Sequence, residues 1–436
     1  MIKYPEIQFK TPSEIKSFQE NALKENLAYL KANSKFYSRM FEQNKITISD
    51  ITQIEDLVNL PVTTKKDLQL FNDDFICVDK SEIIDYVTTS GTLGDPVTFA
   101  LTNDDLDRLG YNEYLSFSTA GCSKNDIVQL MTTLDRRFMA GLAYFLGAKE
   151  MGCGIVRVGN GIPELQWDSI KRINPNSCIV VPSFLLKLID YAVANGIDYK
   201  NSPLKKAICI GESLRGNNFE YNTLGGQIND KWPSLKLFST YASTEMQSSF
   251  TECEFSLGGH HQPELIIVEF LDEDNNPVPA GEAGEVTITT LGVKGMPLLR
   301  FKTGDICFHS TSICQCGRQT IRLSPVLGRK GQMIKYKGTT IYPSALYDIL
   351  DNIPEIKNYI IEVYTNTIGT DSILVKIGSI NHTDEFLKQV KDLFRSKIRA
   401  TPEICFEPIE YIAKIQMPAM SRKPIKFVDL RENSNQ

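Results

Sequence analysis

Tyr86-Val-Thr-Thr-Ser-Gly-Thr-Leu-Gly-Asp-Pro-Val-Thr-Phe99 interleaves hydroxyl side chains with glycines between two β-rich apolar runs. Without a Cβ at Gly91 and Gly94 the backbone can turn tightly and aim N–H groups at an anion, and Thr89, Ser90 and Thr92 add side-chain donors. The stretch therefore reads as a cradle for a polyphosphate. Its spacing is neither that of the Walker loop, Gly-x4-Gly-Lys-Ser/Thr, nor that of the dinucleotide fingerprint, Gly-x-Gly-x2-Gly. An ordinary polar turn joining two strands is the alternative.

Working outward, 436 residues with 42% apolar content can bury at least one large core and predict two or three domains. The balance of 47 basic against 53 acidic residues, net charge -6, offers no electrostatic case for nucleic acid or an anionic membrane. The N-terminus lacks a basic region followed by an apolar stretch, and the apolar run from Cys178 to Ile189 is interrupted by Pro182 and Lys187. A soluble, cytoplasmic protein is expected. Cys122, Cys153, Cys178 and Cys209 lie singly inside apolar segments, which suits a reducing compartment better than a disulfide frame.

Apolar side chains at Ile15, Phe18, Ala22, Leu23, Leu27, Leu30 and Phe41 follow a mostly 3.6-residue period, so helices open the chain. From about 80 to 300, short β-rich runs (Ile127–Leu130, Cys178–Val181, Ala207–Ile210, Leu235–Phe238) alternate with helical stretches such as Phe184–Ala194. Strands separated by turns follow from Glu264 to Phe308. After Gly328 to Ile334 the texture changes: Ser344–Asn352 and Asp384–Ile398 read as helical, Tyr359–Tyr364, Ile373–Ile377 and Ile404–Pro408 as extended. The expected fold is α/β, with a large N-terminal domain (1–330) of layered sheets and a β-rich subdomain, then a small mobile α/β cap (331–436).

Four further motifs follow the opening stretch in order: Ile210-Gly-Glu-Ser213, Tyr241-Ala-Ser-Thr-Glu245, Phe301-Lys-Thr-Gly-Asp305 and Gly328-Arg-Lys-Gly-Gln-Met-Ile-Lys335. With Thr89–Pro96 they resemble the core motifs of the adenylate-forming superfamily of acyl-CoA synthetases, adenylation domains and luciferases, from about residue 55 to the C-terminus. Leu60-Pro-Val-Thr-Thr-Lys-Lys-Asp-Leu68 and Gly338-Thr-Thr-Ile-Tyr-Pro-Ser344 are similar to phenylacetate-CoA ligases. The resemblance implies an ATP-dependent ligase that joins an aryl acid to coenzyme A through an acyl-adenylate. Loading of a carrier protein or other acceptor, or a nucleotide-binding relative without turnover, are the alternatives.

The chemistry needs crowded negative charge neutralised before an anionic carboxylate can attack the α-phosphate of ATP. By resemblance, Thr89, Ser90, Gly91, Thr92, Gly94, Gly211, Glu212 and Arg329 meet ATP, Glu245 holds Mg²⁺, Thr244 bonds near the α-phosphate and Tyr241 lies along adenine. Asp305 accepts from the two ribose hydroxyls, which its two oxygens suit. Ser421-Arg-Lys-Pro-Ile-Lys-Phe-Val-Asp429 resembles the superfamily's terminal pattern, which implies Lys423 as the catalytic lysine, with Lys426 as competitor, and Gly331 at the superfamily's hinge position. Lys335, Tyr336, Lys337 and Gly338 fall where coenzyme A would bind. Leu93 and Asp95 depart from the usual threonine and lysine of the phosphate loop. The expected partners are the carboxylic acid, ATP and coenzyme A, with a homodimer as a further expectation.

Two further expectations concern the acid and a metal. Arg136-Arg-Phe-Met-Ala-Gly-Leu-Ala-Tyr144 gathers aromatic, sulfur and small residues, so Phe138 and Met139 are expected to face an aromatic acid while Ala140 and Gly141 leave room for it. A core helix of the same composition is the alternative. Cys253, His260, Cys314 and Cys316 supply three thiols and one imidazole, a sufficient tetrahedral set for structural Zn²⁺, and similar residues occur in a subset of phenylacetate-CoA ligase relatives. Two loop cysteines beside a surface pair, His260 and His261, are the plainer reading.

Overall fold

Thr11 starts the first long helix by a reciprocal cap: its hydroxyl accepts from the Glu14 N–H, while the Glu14 carboxylate accepts from the Thr11 N–H, and Pro12 occupies the first turn. Helices α1 (Pro12–Asn33) and α2 (Lys35–Gln43) meet at Ser34, whose hydroxyl caps α2. Ile15, Leu23, Leu27, Leu30 and Phe41 are buried, as their spacing predicts. The structure is a computed structural model; it describes residues 3–89, 96–336, 339–366, 370–417 and 425–431. The polypeptide divides into two compact units, Met1–Pro325 and Val326–Gln436.

In the first unit, a short helix α3 (Lys65–Leu70) precedes strands β1 (Ile83–Thr88) and β2 (Thr98–Thr102), which pair antiparallel with Thr88 opposite Thr98. Helix α4 (Asn103–Thr119) follows. The chain then alternates through β3 (Ile127–Leu130), α5 (Met139–Met151), β4 (Gly154–Arg157), α6 (Pro163–Ile173), β5 (Ser177–Val180), α7 (Pro182–Ala194), β6 (Lys206–Ile210), α8 (Thr223–Lys231) and β7 (Lys236–Ser243). Strands β4, β3, β5, β6 and β7 lie parallel in that order.

Helices cover both faces, so these strands read as short continuous apolar runs. Cys178, Val180, Ala207 and Cys209 pack with Trp167, Leu185, Leu188 and Trp232 on one side. Ile179, Ile208, Val128 and Leu130 pack with Phe117, Tyr144 and Ala148 on the other.

The same sheet continues antiparallel through β8 (Ser248–Glu252) and β9 (Gly259–His260) to two short strands, β13 (His309–Ser310) and β14 (Arg322–Leu323). Between these come β10 (Ile266–Leu271), β11 (Gly284–Thr290) and β12 (Phe301–Cys307), which pair antiparallel side by side and form the expected β-rich portion.

The second unit holds the short strands β15 (Gly328–Arg329), β16 (Ile334–Tyr336) and β17 (Thr339–Ile341), then α9 (Pro343–Asp351), β18 (Ile356–Thr365), β19 (Asp371–Ser379), α10 (Asp384–Ile398), β20 (Glu403–Glu407), α11 (Ile409–Gln416) and β21 (Phe427–Asp429). Its sheet runs β20-β19-β18-β21, with β18 and β19 antiparallel and both outer strands parallel to their neighbours. Leu346, Leu350, Ile361, Val375, Val390 and Phe394 form its own core. The α/β class with layered sheets is as expected. No helix among the described residues is long and apolar enough to cross a membrane.

Candidate active site and metal centre

The neck of the glycine-threonine loop is closed by one residue. Thr89 N–H donates to the Val97 carbonyl and Val97 N–H donates to Thr89 Oγ1, each at 3.0 Å. Thr88 N–H donates to the Arg137 carbonyl at 3.1 Å, so the 131–138 segment after β3 abuts the neck. Arg136 and Arg137 both have left-handed backbones, φ 59° and 56°, a conformation that non-glycine residues rarely adopt in succession. Ser90, Gly91, Thr92 and Gly94, with the departures Leu93 and Asp95, lie outside the described residues.

Beyond that loop, Tyr241 on β7 donates its hydroxyl to Asp305 Oδ2 on β12 at 2.8 Å, a bond between the two sheets. Burial, and then the Asp305 charge, push the Tyr241 phenol well above its ordinary range, so it remains a donor. Gly304 takes φ +80° just before Asp305. Thr244 and Glu245 sit half-buried on the turn between β7 and β8. Gly211 is exposed at the end of β6. Glu212 has structural employment: its carboxylate accepts from Ser183 N–H at 2.8 Å and Ser183 Oγ at 3.0 Å, capping the first turn of α7.

The acid-pocket segment differs in part from expectation. Phe138 is half-buried and precedes α5, whereas Met139 is buried and Ala140 packs into the core with Leu134. Gly141 opens no space for a ring: a Cβ there would lie 2.0 Å from the Thr133 carbonyl oxygen, so the glycine serves the close approach of α5 to the preceding loop.

A set of buried polar residues on α4 escaped the sequence reading. Asp105, Arg108, Asn112, Ser116 and Thr119 recur at intervals of three and four and all are buried. The fully buried Arg108 guanidinium donates to the carbonyls of Leu291 (2.8 Å), Gln247 (2.6 Å) and Leu265 (2.5 Å). Asn112 Oδ1 accepts from Ser249 N–H at 3.0 Å and Ser248 Oγ at 3.2 Å. Burial pushes the neighbouring Glu113 carboxyl up to about 8. The recurrence was the available signal, but it is the helical period carried by polar instead of apolar residues.

The four metal candidates do converge. One ligand atom from each of Cys253, His260, Cys314 and Cys316 lies within 4.8 Å of the others. Cys253 Sγ is 3.6 Å from Cys314 Sγ, and Cys316 Sγ is 3.5 Å from His260 Nε2. Four ligands at about 2.0–2.3 Å around a tetrahedral zinc leave such gaps between them, so the donor set fits that ion. His260 Nδ1 lies 3.1 Å from Thr320 Oγ1, a partner that orients the ring. Burial lowers the His260 imidazole, keeping it neutral near pH 7. Burial opposes ionisation of Cys316, but hydrogen bonds with His260 and Arg318 prevail and hold its thiol far below the usual range, at about 5. Both His260 and His261 are buried, which removes the surface-pair reading; His261 Nε2 is bonded to the Ile266 carbonyl instead.

In the second unit Arg329 lies half-exposed on β15 beside Gly328, where a Cβ would strike the Tyr342 ring at 2.1 Å. Gly331 is exposed, and a Cβ there would meet nothing within 4 Å. Its carbonyl accepts from Arg431 Nη2 at 3.2 Å, and the Met333 carbonyl accepts from Arg431 Nη1 at 2.8 Å. Lys335 is exposed, with its N–H bonded to Asp371. Tyr336 is buried in the cap's core and its hydroxyl donates to the Thr401 carbonyl at 2.9 Å, so its ring serves packing. Lys337, Gly338 and Lys423 lie outside the described residues. Lys426, the competing lysine, is committed within the cap: Nζ pairs with Asp351 Oδ1 at 3.1 Å and lies 5.0 Å from the centre of the Tyr359 ring.

Comparison with known proteins shows what the chain is similar to. No family model matches the chain. It is 27% identical over 361 residues to the phenylacetate-coenzyme A ligase of Thermus thermophilus, covering 82% of this chain and 79% of the relative. Against the phenylacetate-coenzyme A ligase of Escherichia coli the identity is 25% over 445 residues, 98% of each chain. This chain is a relative of the phenylacetate-CoA ligases. Among solved structures, 2-hydroxyisobutyryl-CoA ligase in its postadenylation state superposes with a TM-score of 0.83 at 20% identity, over 98% of this chain and 91% of that one. The latter likeness speaks to the fold. Tyr241 and Asp305, far apart in sequence, stand together through their hydrogen bond.

Proposed function

We propose that the chain is an ATP-dependent acid:CoA ligase, which activates an aromatic, phenylacetate-like acid as its acyl-adenylate, releases pyrophosphate and then forms the CoA thioester. The hydrogen bond of Tyr241 to Asp305 carries the reading, because it joins the residues assigned to adenine and ribose. A carboxylate at this place suits the ribose hydroxyls. Thr89 Oγ1 accepts from the Val97 N–H within the loop neck, and a hydroxyl that accepts can also donate, as to a phosphate oxygen.

Glu245 is the carboxylate for Mg²⁺, an ion usually bound by one or two carboxylates together with substrate phosphates; it supplies charge neutralisation at the α-phosphate. Thr244 hydrogen-bonds there, and Lys423 is the cation that stabilises charge developing on the carboxylate and phosphate oxygens. Commitment of Lys426 to Asp351 favours Lys423 in that role. Lys335 and the 337–338 segment are assigned to coenzyme A. Cys253, His260, Cys314 and Cys316 hold a structural Zn²⁺, and a cytoplasmic setting suits ten cysteines of which none is in a disulfide.

The test is acid-dependent pyrophosphate release over a panel of carboxylic acids, followed by thioester formation with free CoA. Lys423→Ala should lose most of the first half-reaction yet convert supplied acyl-adenylate to thioester at near the parent rate. Equal loss of both halves would reject Lys423 as the adenylation cation. Absence of pyrophosphate release with every acid would reject the ligase itself.

A further inference from the structure

Directly after Thr244 and Glu245 the chain plunges inward. Met246 and Gln247 are both 0% exposed. Gln247 has φ +48°, a left-handed conformation unfavourable for a residue with a side chain, and it is fixed there by the Arg108 bond to its carbonyl. Its side-chain amide has no partner for either Nε2 or Oε1 among the described residues. Burial of an amide without hydrogen bonds costs on the order of 1–3 kcal/mol by mutational measures. A strained backbone and an orphaned buried amide therefore coincide in one residue.

Another orphaned atom borders the seam between α4 and β8, and a further one lies on the α5 side of α4. Gln262 Nε2 donates to Ser249 Oγ at 3.5 Å while its Oε1 has no partner among the described residues. Glu113 Oε1 accepts from Asn112 Nδ2 at 2.9 Å while its Oε2 has none among them. Gln262 is 2% and Glu113 5% exposed. Asn112 ties the group together through Ser248 and Ser249. Apolar packing would be the cheaper filling for this seam, as the neighbouring cores show, yet Gln247 and Gln262 are held here with capacity unspent.

We infer, resting on the ligase reading above, that Gln247 is a specificity-determining residue and that the acid carries a hydroxyl or amino group on its apolar body, hydrogen-bonded in the seam by the Gln247 amide. The two atoms of the amide can accept from and donate to such a group at once. A site built to hydrogen-bond a substituent discriminates strongly against the analogue lacking it, because its own polar atoms are then left unpaired.

The experiment compares kcat/KM for pyrophosphate release on matched acids, phenylacetate against its ring-hydroxylated forms and benzoate against its ring-aminated forms, in the parent and in Gln247→Leu. The parent should favour at least one substituted acid over its plain counterpart by about tenfold or more, and Gln247→Leu should reduce that ratio by about tenfold or more. Because leucine removes an unpartnered amide, the variant should melt no lower than the parent. If Gln247→Leu does not fold, Gln262→Leu is the second variant, and the same fall in ratio is expected. A parent that favours the plain acids throughout, or a ratio unchanged in the variant, overturns the inference while leaving the ligase reading intact. Turnover of no acid at all by folded protein overturns both.

Discussion

Glu212 belongs to a motif assigned to ATP, yet its carboxylate is already spent on Ser183 at the start of α7. Glu212→Ala should therefore lower the melting temperature, by the equivalent of about 1 kcal/mol for a lost helix cap, as well as raise KM for ATP. A second prediction concerns Glu113. Its folded-state carboxyl is raised to about 8 by burial, so the native protein binds a proton that the unfolded chain releases near its ordinary value. Stability contributed by that proton is present at low pH and is lost as pH rises toward 8. Glu113→Gln should flatten that decline in a series of melting curves between pH 5 and 8; an unchanged slope would assign the decline to other groups. At this scale the sequence was readable where chemistry fixes the partners, as in the choice of His260 over His261. It was misleading at Tyr336, because an aromatic ring beside lysines is equally suited to a ligand and to a domain core, and only packing distinguishes them. Gly141 illustrates the same ambiguity: its missing Cβ makes room for a backbone carbonyl, not a substrate.

Among elements, β3 and α10 coincide with the expected Ile127–Leu130 and Asp384–Ile398, since apolar runs and amphipathic spacing are strong local signals. The polar inward face of helix α4 was not anticipated. Its inward stripe of Asp105, Arg108, Asn112, Ser116 and Thr119 obeys helical spacing, but hydrophobic patterning looks for apolar residues there. Arg108 is what makes the arrangement tolerable, satisfying three buried carbonyls from separate loops. Arg108→Met should preserve bulk but orphan those carbonyls, destabilising the first unit by about 3 kcal/mol or more in denaturant titration. Gly147→Ala tests the other face of the element. A Cβ would lie 2.2 Å from Glu113 Cβ, so α4 and α5 must separate, and a loss of about 1–3 kcal/mol is expected.

Across the whole molecule, long-range convergence is what the linear sequence conceals least well at the metal centre and most completely between sheets. Cys253 follows β8, His260 ends β9, and Cys314 and Cys316 lie between β13 and β14, so one ion would fasten the outer edge of the large sheet. Arg318 beside it donates to Gln8 Oε1 at 2.9 Å, extending the clamp to the N-terminal segment. Protein purified without chelator should carry about one zinc per chain, and Cys314→Ser should lower both zinc content and melting temperature. Unchanged metal content in that variant would remove the thiol from the ligand set. In the cap, strand β21 completes the sheet by lying parallel to β18, with Phe427 opposite Ile361, and Arg431 then clasps the carbonyls of Gly331 and Met333. During translation the ribosome delivers β18 long before its neighbour, so this edge stays open to proteolysis until the final strand emerges. Stalled nascent chains should become protected only when residues 427–431 have left the exit tunnel.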